Sequence, residues 1–337
     1  MLINNPKSFY LSDEENEKVF EKKVLVKANR HYDFTPQSNP KVFLSGGLPG
    51  AGKTNLIDKE KKMMEKDNHS KLFIANSDEM RPYHPRYAEA LKLFGTEAGS
   101  AVHHDATIFS DKLIDYALNE KADFIIDSTL KNPKKTEEIL SKLQNANYRI
   151  KVSMLTVNEY ESMQGILNRY AEQYRDNPTT ARFVDQRFIK IGKEDMLLSA
   201  EVIDKKCIHE FKLLDREHNI LYDSTKDFNR SAKEVMYEST QLKNFSSERR
   251  EKLIQSWEQL IEKLKEYSVP LHIQDKAETI HNELKVELLH AKDDSDFWED
   301  FSKEVADLNK ELISDSMENR EEIEIDKEYE DNVRRNH

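Results

Sequence analysis

A chain of 337 residues, 37% hydrophobic and 34% charged, is too apolar for wholesale disorder and long enough for two cores, since one core usually stops growing near ~250 residues. Its net charge of −12 argues against a polyanion such as nucleic acid as partner of the surface as a whole, although a local basic cleft can still hold a nucleotide. Cys207 is the single cysteine, which excludes an intrachain disulfide and a cysteine-based metal cluster and fits a reducing cytoplasm.

The N-terminus, Met1-Leu2-Ile3-Asn4-Asn5-Pro6-Lys7, lacks a basic region followed by an apolar stretch, and no apolar run approaches the ~20 residues of a membrane span. A cytoplasmic protein without a membrane partner is expected, with delivery into another cell as an effector left open. The mean hydropathy of −0.82 requires much solvated helix. The acidity is local: residues 226–337 carry 18 Lys/Arg against 29 Asp/Glu, −11 of the −12.

In chain order, residues 12–30 read as a helix, with Ser12-Asp13-Glu14-Glu15 as cap and acidic first turn and Phe20, Val24 and Val26 as candidate buried positions. Thr35-Pro36-Gln37-Ser38-Asn39-Pro40 breaks it. Short apolar runs then alternate with amphipathic stretches: Val42-Phe43-Leu44, Leu72-Phe73-Ile74-Ala75, Phe124-Ile125-Ile126, Ile150-Lys151-Val152-Ser153-Met154-Leu155 and Ile220-Leu221-Tyr222. That alternation predicts an α/β fold, a parallel sheet with helices on both faces.

After Asp223 no strand run appears. Leu253, Trp257, Leu260, Ile261 and Leu264 recur at helical spacing over residues 247–267, Ile280, Leu284 and Leu288 over 277–291, and Trp298, Phe301, Val305, Leu308 and Leu312 over 296–313. These stripes read as core, because an amphipathic helix buries its apolar face. The organisation expected is an N-terminal helical segment (1–38), an α/β domain (39–225) and an acidic, all-helical C-terminal extension (226–337) with a frayed or disordered end.

The first strand runs directly into Gly47-Leu48-Pro49-Gly50-Ala51-Gly52-Lys53-Thr54, and a helical pattern follows. Glycines let backbone N–H groups turn inward onto phosphate oxygens, and a helix N-terminus adds its positive end. Lys53 reaches the β- and γ-phosphates, and the Thr54 hydroxyl is a ligand for Mg²⁺. ATP or GTP is therefore the expected donor, with the acceptor left open.

The second strand ends at Asn76-Ser77-Asp78 and the third at Asp127-Ser128-Thr129, where an open parallel sheet gathers its ligands. Asp78 is a candidate base for an acceptor hydroxyl, or the N-cap of the next helix. Asp127, and Asp111 in the preceding helix, are either hydroxyl-binding groups or solvated acids. Arg169 and Arg182 flank a helix-to-loop stretch, with Arg187, Lys190 and Lys193 beyond. Guanidinium groups there suit a lid over a transferring phosphoryl group, while arginines on a helix also mark solvated faces. His103 and His104 are adjacent on a helix, point in different directions, and offer no metal-ligand spacing.

Four features together resemble the zeta-toxin kinases of bacterial toxin–antitoxin systems: the loop ending Gly52-Lys53-Thr54, residues 78–87 with His84-Pro85, the strand end Ile125-Ile126-Asp127-Ser128-Thr129, and the run from Arg169-Tyr170 through Tyr174, Pro178 and Thr180-Ala181-Arg182. The resemblance covers roughly residues 8–225, about two thirds of the chain. It implies phosphorylation of the 3'-hydroxyl of the amino sugar in UDP-N-acetylglucosamine by ATP or GTP with Mg²⁺, poisoning wall synthesis. It implies Lys53 and Thr54 at the nucleotide and Mg²⁺, Asp78 as base, and Arg169 and Arg182 as charge-stabilising lid. Asp111, Asp127, Thr129 and Lys131 are implied at the sugar nucleotide, and an antitoxin protein as partner.

This chain departs from the family's pattern around the acceptor: Asn76 replaces an acid, Asp111 and Asp127 are shorter than the usual glutamates, Ser128 replaces glycine, and Lys131 replaces an arginine, losing its bidentate fork. Alternatives stay open: a kinase of another nucleotide-linked hydroxyl such as that of NAD, or a nucleotide-binding interaction protein with vestigial catalysis. The acidic extension reads as a packing module or as an internal inhibitor folded over the cationic cleft.

Overall fold

A computed structural model describes residues 6–68, 71–95, 98–178, 181 and 187–291. In chain order the elements are α1 (Asp13–Val19), a π-helical stretch (Phe20–Leu25), α2 (Val26–His31), β1 (Lys41–Gly47), α3 (Lys53–Asn68), β2 (Phe73–Ala75), α4 (Ser77–Met80), α5 (Tyr87–Phe94), α6 (Ala98–Ala101), α7 (His103–Glu120), β3 (Phe124–Asp127), α8 (Pro133–Asn145), β4 (Arg149–Leu155), α9 (Glu159–Asp176), α10 (Arg187–Lys205), β5 (Glu210–Leu214), β6 (Ile220–Asp223), α11 (Ala232–Ser239), α12 (Ser247–Glu266) and α13 (Leu271–His290).

One six-stranded sheet runs in the order β2-β3-β1-β4-β5-β6. The first five strands are parallel and β6 is antiparallel to β5. Val42, Phe43 and Leu44 are all buried; successive side chains leave a strand on opposite sides, so both faces are covered. The expected parallel sheet is present, with one antiparallel strand added at its edge. The apolar-run criterion passed over β5, because Glu210 and Lys212 interrupt Phe211 and Leu213. Their side chains pair at 2.9 Å on the other face. Only the short turn 215–219 joins β5 to β6, and a connection that short imposes antiparallel pairing.

Helix entry follows local capping. Ser12 and Glu15 form a reciprocal capping box, which satisfies two N–H groups that a helix start leaves orphaned. Phe20, Val24 and Ala28 are buried while Val26 is 41% exposed, so spacing of four residues picks Ala28 instead of the expected Val26.

The described part of the extension packs into the sheet's own core. Leu253, Trp257, Leu260 and Leu264 of α12 and Ile280, Leu284 and Leu288 of α13 are buried in one cluster with Phe43, Phe124 and Val152. The stripe at Trp298, Phe301, Val305, Leu308 and Leu312 lies outside the described residues, as does everything after it. Among the described residues no helix is long and apolar enough to cross a membrane.

Candidate active site

The β1–α3 turn is shaped by glycines where side chains do not fit. Gly50 has φ +76°, and a Cβ there would strike the Ser162 carbonyl and the Ile166 amide of α9. The partner position is Gly165, whose own Cβ would meet the Gly50 carbonyl. Ser162 Oγ donates to the Pro49 carbonyl at 2.7 Å. The loop is thereby seated backbone to backbone on α9, a contact only glycine pairs permit.

Lys53 opens α3 and folds back over the loop, its ammonium donating to the Gly47 carbonyl at 2.8 Å and the Leu48 carbonyl at 3.2 Å. Burial pushes its pKa down to about 8; Asp127 and Asp78 oppose that shift and Arg169 adds to it. Thr54, next on the helix, is exposed.

Asp127 ends β3 in register with Ser45 of β1. It accepts from Ser45 Oγ at 3.2 Å and from Asn76 Nδ2 at 2.7 Å. Burial raises its carboxyl above the ordinary carboxylate range, with Lys53 the strongest opposing influence. Asn76 has a second role: its side chain accepts from the Asp78 amide at 2.8 Å and caps α4. The cap is therefore Asn76. Asp78 sits in the first turn with its side chain 56% exposed, ion-paired to the buried Arg81, and its charge is felt by both Lys53 and Asp127.

Lys53, Asp78, Asp127 and Arg169 are thus brought into one electrostatic neighbourhood at the C-terminal ends of β1, β2 and β3. Thr129 joins through its carbonyl, which accepts from the Gly47 amide at 3.2 Å. Lys131 is exposed at the β3–α8 turn and acts with Arg81, Asp78 and Lys135 on His103, whose pKa burial lowers. His104 points elsewhere and stacks on Tyr10 at 4.3 Å. Asp111 stands apart, two turns along α7 from His103; partial burial raises its carboxyl, opposed by Lys135, with Asp115 adding to the shift. Arg182 lies outside the described residues. Sequence reading missed Arg81, Ser45, Ser162 and Gly165. An Asn directly before Ser77-Asp78-Glu79 was a readable cap signal, whereas the Gly50–Gly165 contact joins positions 115 residues apart and leaves no local trace.

The donors at this mouth suit a hard cation, since a threonine hydroxyl and carboxylates supply the oxygen ligands Mg²⁺ prefers. Thr54, exposed at the start of α3, would supply one such ligand through its hydroxyl.

The family model described as Zeta toxin matches residues 26–227, more than half of the chain. The chain belongs to the zeta toxin family. Zeta-toxin relatives include Toxin zeta of Streptococcus agalactiae, 25% identical over 199 residues, 59% of this chain and 68% of that one. Toxin PezT of Streptococcus pneumoniae serotype 4 is 25% identical over 203 residues, 59% and 77% of the two chains. Among solved structures, that of the PezAT chromosomal toxin–antitoxin system of Streptococcus pneumoniae gives a TM-score of 0.62 at 20% identity, covering 76% of this chain and 98% of that one. A structure of AvrRxo1-ORF1:-ORF2 with ATP gives 0.51 at 14% identity, with 83% and 92% covered. Identities this low carry the fold: a zeta-toxin, P-loop kinase-like sheet with a helical C-terminal region.

Proposed function

We propose that this zeta toxin transfers the γ-phosphoryl group of ATP or GTP to a sugar hydroxyl, the 3'-hydroxyl of the amino sugar of UDP-N-acetylglucosamine. The observation that carries the reading is Asp78, left exposed at the mouth because Asn76 takes the capping role, in the electrostatic neighbourhood of the Lys53 ammonium and Arg169. The phosphate loop supplies inward backbone N–H groups and Lys53 for the β- and γ-phosphates. Asp78 accepts the hydroxyl proton as the acceptor oxygen bonds to the γ-phosphorus. The bond from that phosphorus to the β–γ bridging oxygen breaks and the nucleoside diphosphate leaves. Arg81 holds the Asp78 carboxylate through their ion pair, Arg169 with Arg182 stabilises the transferring charge, and Thr129 and Lys131 bind the sugar nucleotide. Mg²⁺, where bound, neutralises phosphate charge. An antitoxin protein is the fitting macromolecular partner, as PezAT is a toxin–antitoxin system.

A second acceptor has its own support. Asp127 is engaged by Ser45 and Asn76, so one of the two acids that the family resemblance assigns to the sugar nucleotide is otherwise occupied. Another nucleotide-linked hydroxyl, such as that of NAD, keeps the same chemistry. Purified chain with MgATP or MgGTP, offered each acceptor and analysed by mass spectrometry, decides: addition of one phosphate to UDP-N-acetylglucosamine supports the first reading, and addition to NAD alone replaces it.

A further inference from the structure

Helix α9 is gripped on two adjacent stripes. Ser162, Gly165 and Arg169 follow at helical spacing and belong to the phosphate-loop side: Ser162 and Gly165 touch Pro49 and Gly50, and the charge of Arg169 reaches Lys53. One residue round, Glu161, Gln164, Asn168, Glu172 and Arg175 form the neighbouring stripe, and each meets the C-terminal extension.

The grip tightens toward the N-terminal end of α9. Glu161 is 5% exposed. The Arg249 guanidinium forks onto both its carboxylate oxygens, Nη2 lying 2.9 Å from each and Nε 3.1 Å from Oε1. The same guanidinium lies 3.6 Å from the Phe245 ring centroid. Further along, Gln164 Nε2 donates to the Ser256 carbonyl at 3.3 Å. Lys263 donates to Asn168 Oδ1 at 2.8 Å and to Glu172 Oε1 at 3.0 Å, and Arg175 reaches the Tyr267 hydroxyl at 3.2 Å. A bidentate pair onto a buried carboxylate fixes orientation as well as distance. A helix so held cannot slide or roll without breaking several of these contacts together.

We infer that Arg249 and Lys263 are positioning residues: the extension sets α9 on the phosphate loop so that Arg169 meets the transferring phosphoryl group. The inference rests on the phosphotransfer reading above and gives the acidic extension a task within the active site's geometry. Displacement of a charge-stabilising arginine by even ~1 Å costs on the order of a hundredfold in rate.

The test titrates the full-length chain with a fluorescent MgADP analogue, with and without fluoroaluminate, which forms a planar mimic of the transferring phosphoryl group. Arg169→Ala is expected to erase most of the tightening that fluoroaluminate gives, leaving MgADP affinity within about twofold. Arg249→Ala should cut the tightening about tenfold. Lys263→Ala, whose pair is half-exposed and whose loss the fold tolerates, should cut it about threefold. Neither should have further effect once Arg169 is Ala. Where circular dichroism shows Arg249→Ala unfolded, Lys263→Ala decides. Wild-type tightening in the folded variants, effects that add to Arg169→Ala, or equal loss of MgADP and fluoroaluminate affinity each overturn the inference, the last marking a merely structural module. Absence of MgADP binding in the wild-type chain sinks the phosphate-loop reading as well. Binding and tightening without transfer to any acceptor overturns the acceptor reading alone.

Discussion

Lys53 carries the most direct residue-scale consequence, because its ammonium is held by two loop carbonyls and feels the charge of Asp127. Its folded pKa of about 8 lies below the ordinary 10.5, so the free protein loses this charge as pH rises through 8, and phosphate must restore the proton on binding. MgATP affinity should be flat up to about pH 7.5 and fall above 8 by up to ~tenfold per pH unit; a fluorescence titration flat to pH 9.5 contradicts this. The sign for stability is opposite: folding disfavours the charged lysine, so this group's penalty is full below pH 8 and fades between 8 and 10.5. The loop and Lys53 were legible because their chemistry is contiguous in sequence. The division of labour between Asn76 as cap and Asp78 as exposed carboxylate was not, since Asn and Asp both cap well and only the hydrogen bonds separate them.

At the scale of elements, α9 is the hub. The arginine on it was singled out beside a helix-to-loop stretch, yet neither the helix's bounds nor its two contact stripes were read, because each stripe is defined by residues more than 80 positions away. Gly165→Ala should therefore be costly out of proportion to one methyl group: the added Cβ falls on the Gly50 carbonyl, and backbone cannot yield as a flexible side chain does. A loss of roughly 1–3 kcal/mol in stability, with weakened MgATP binding, is the expected result by thermal melting and titration; a wild-type melt and affinity contradict the seating. Strand β5 escaped for a different reason. Near a sheet edge one strand face carries charge, so Glu210 and Lys212 broke the apolar run that marks the inner strands.

For the whole molecule, the extension belongs energetically to the kinase-like body. Trp257, fully buried, stacks on His281 at 6.3 Å, and neither Trp257 Nε1 nor His281 Nε2 has a hydrogen-bond partner among the described residues. Burial, with Lys285 adding and Glu278 opposing, pushes the His281 pKa down to about 4 from 6.5. The unfolded chain thus takes up this proton first as pH falls, and stability drains between 6.5 and 4; His281→Leu should flatten that part of a Tm-against-pH profile. Removing residues 229–337 should expose the core that α12 and α13 cover and yield a less stable chain with no gain in activity, as followed by melting and turnover, whereas an inhibitor would release activity on removal. These stripes were legible as helices, but their destination was not, because periodicity reports a buried face without naming what buries it. The most direct measurement is transfer of labelled γ-phosphate from MgATP to UDP-N-acetylglucosamine by the full chain, compared with Asp78→Asn and Lys53→Ala. Transfer by the wild type, lowered by about a thousandfold or more in both variants with their folds intact by circular dichroism, is the expected result. Undiminished transfer by Asp78→Asn, or none to any hydroxyl acceptor by the wild type, contradicts it.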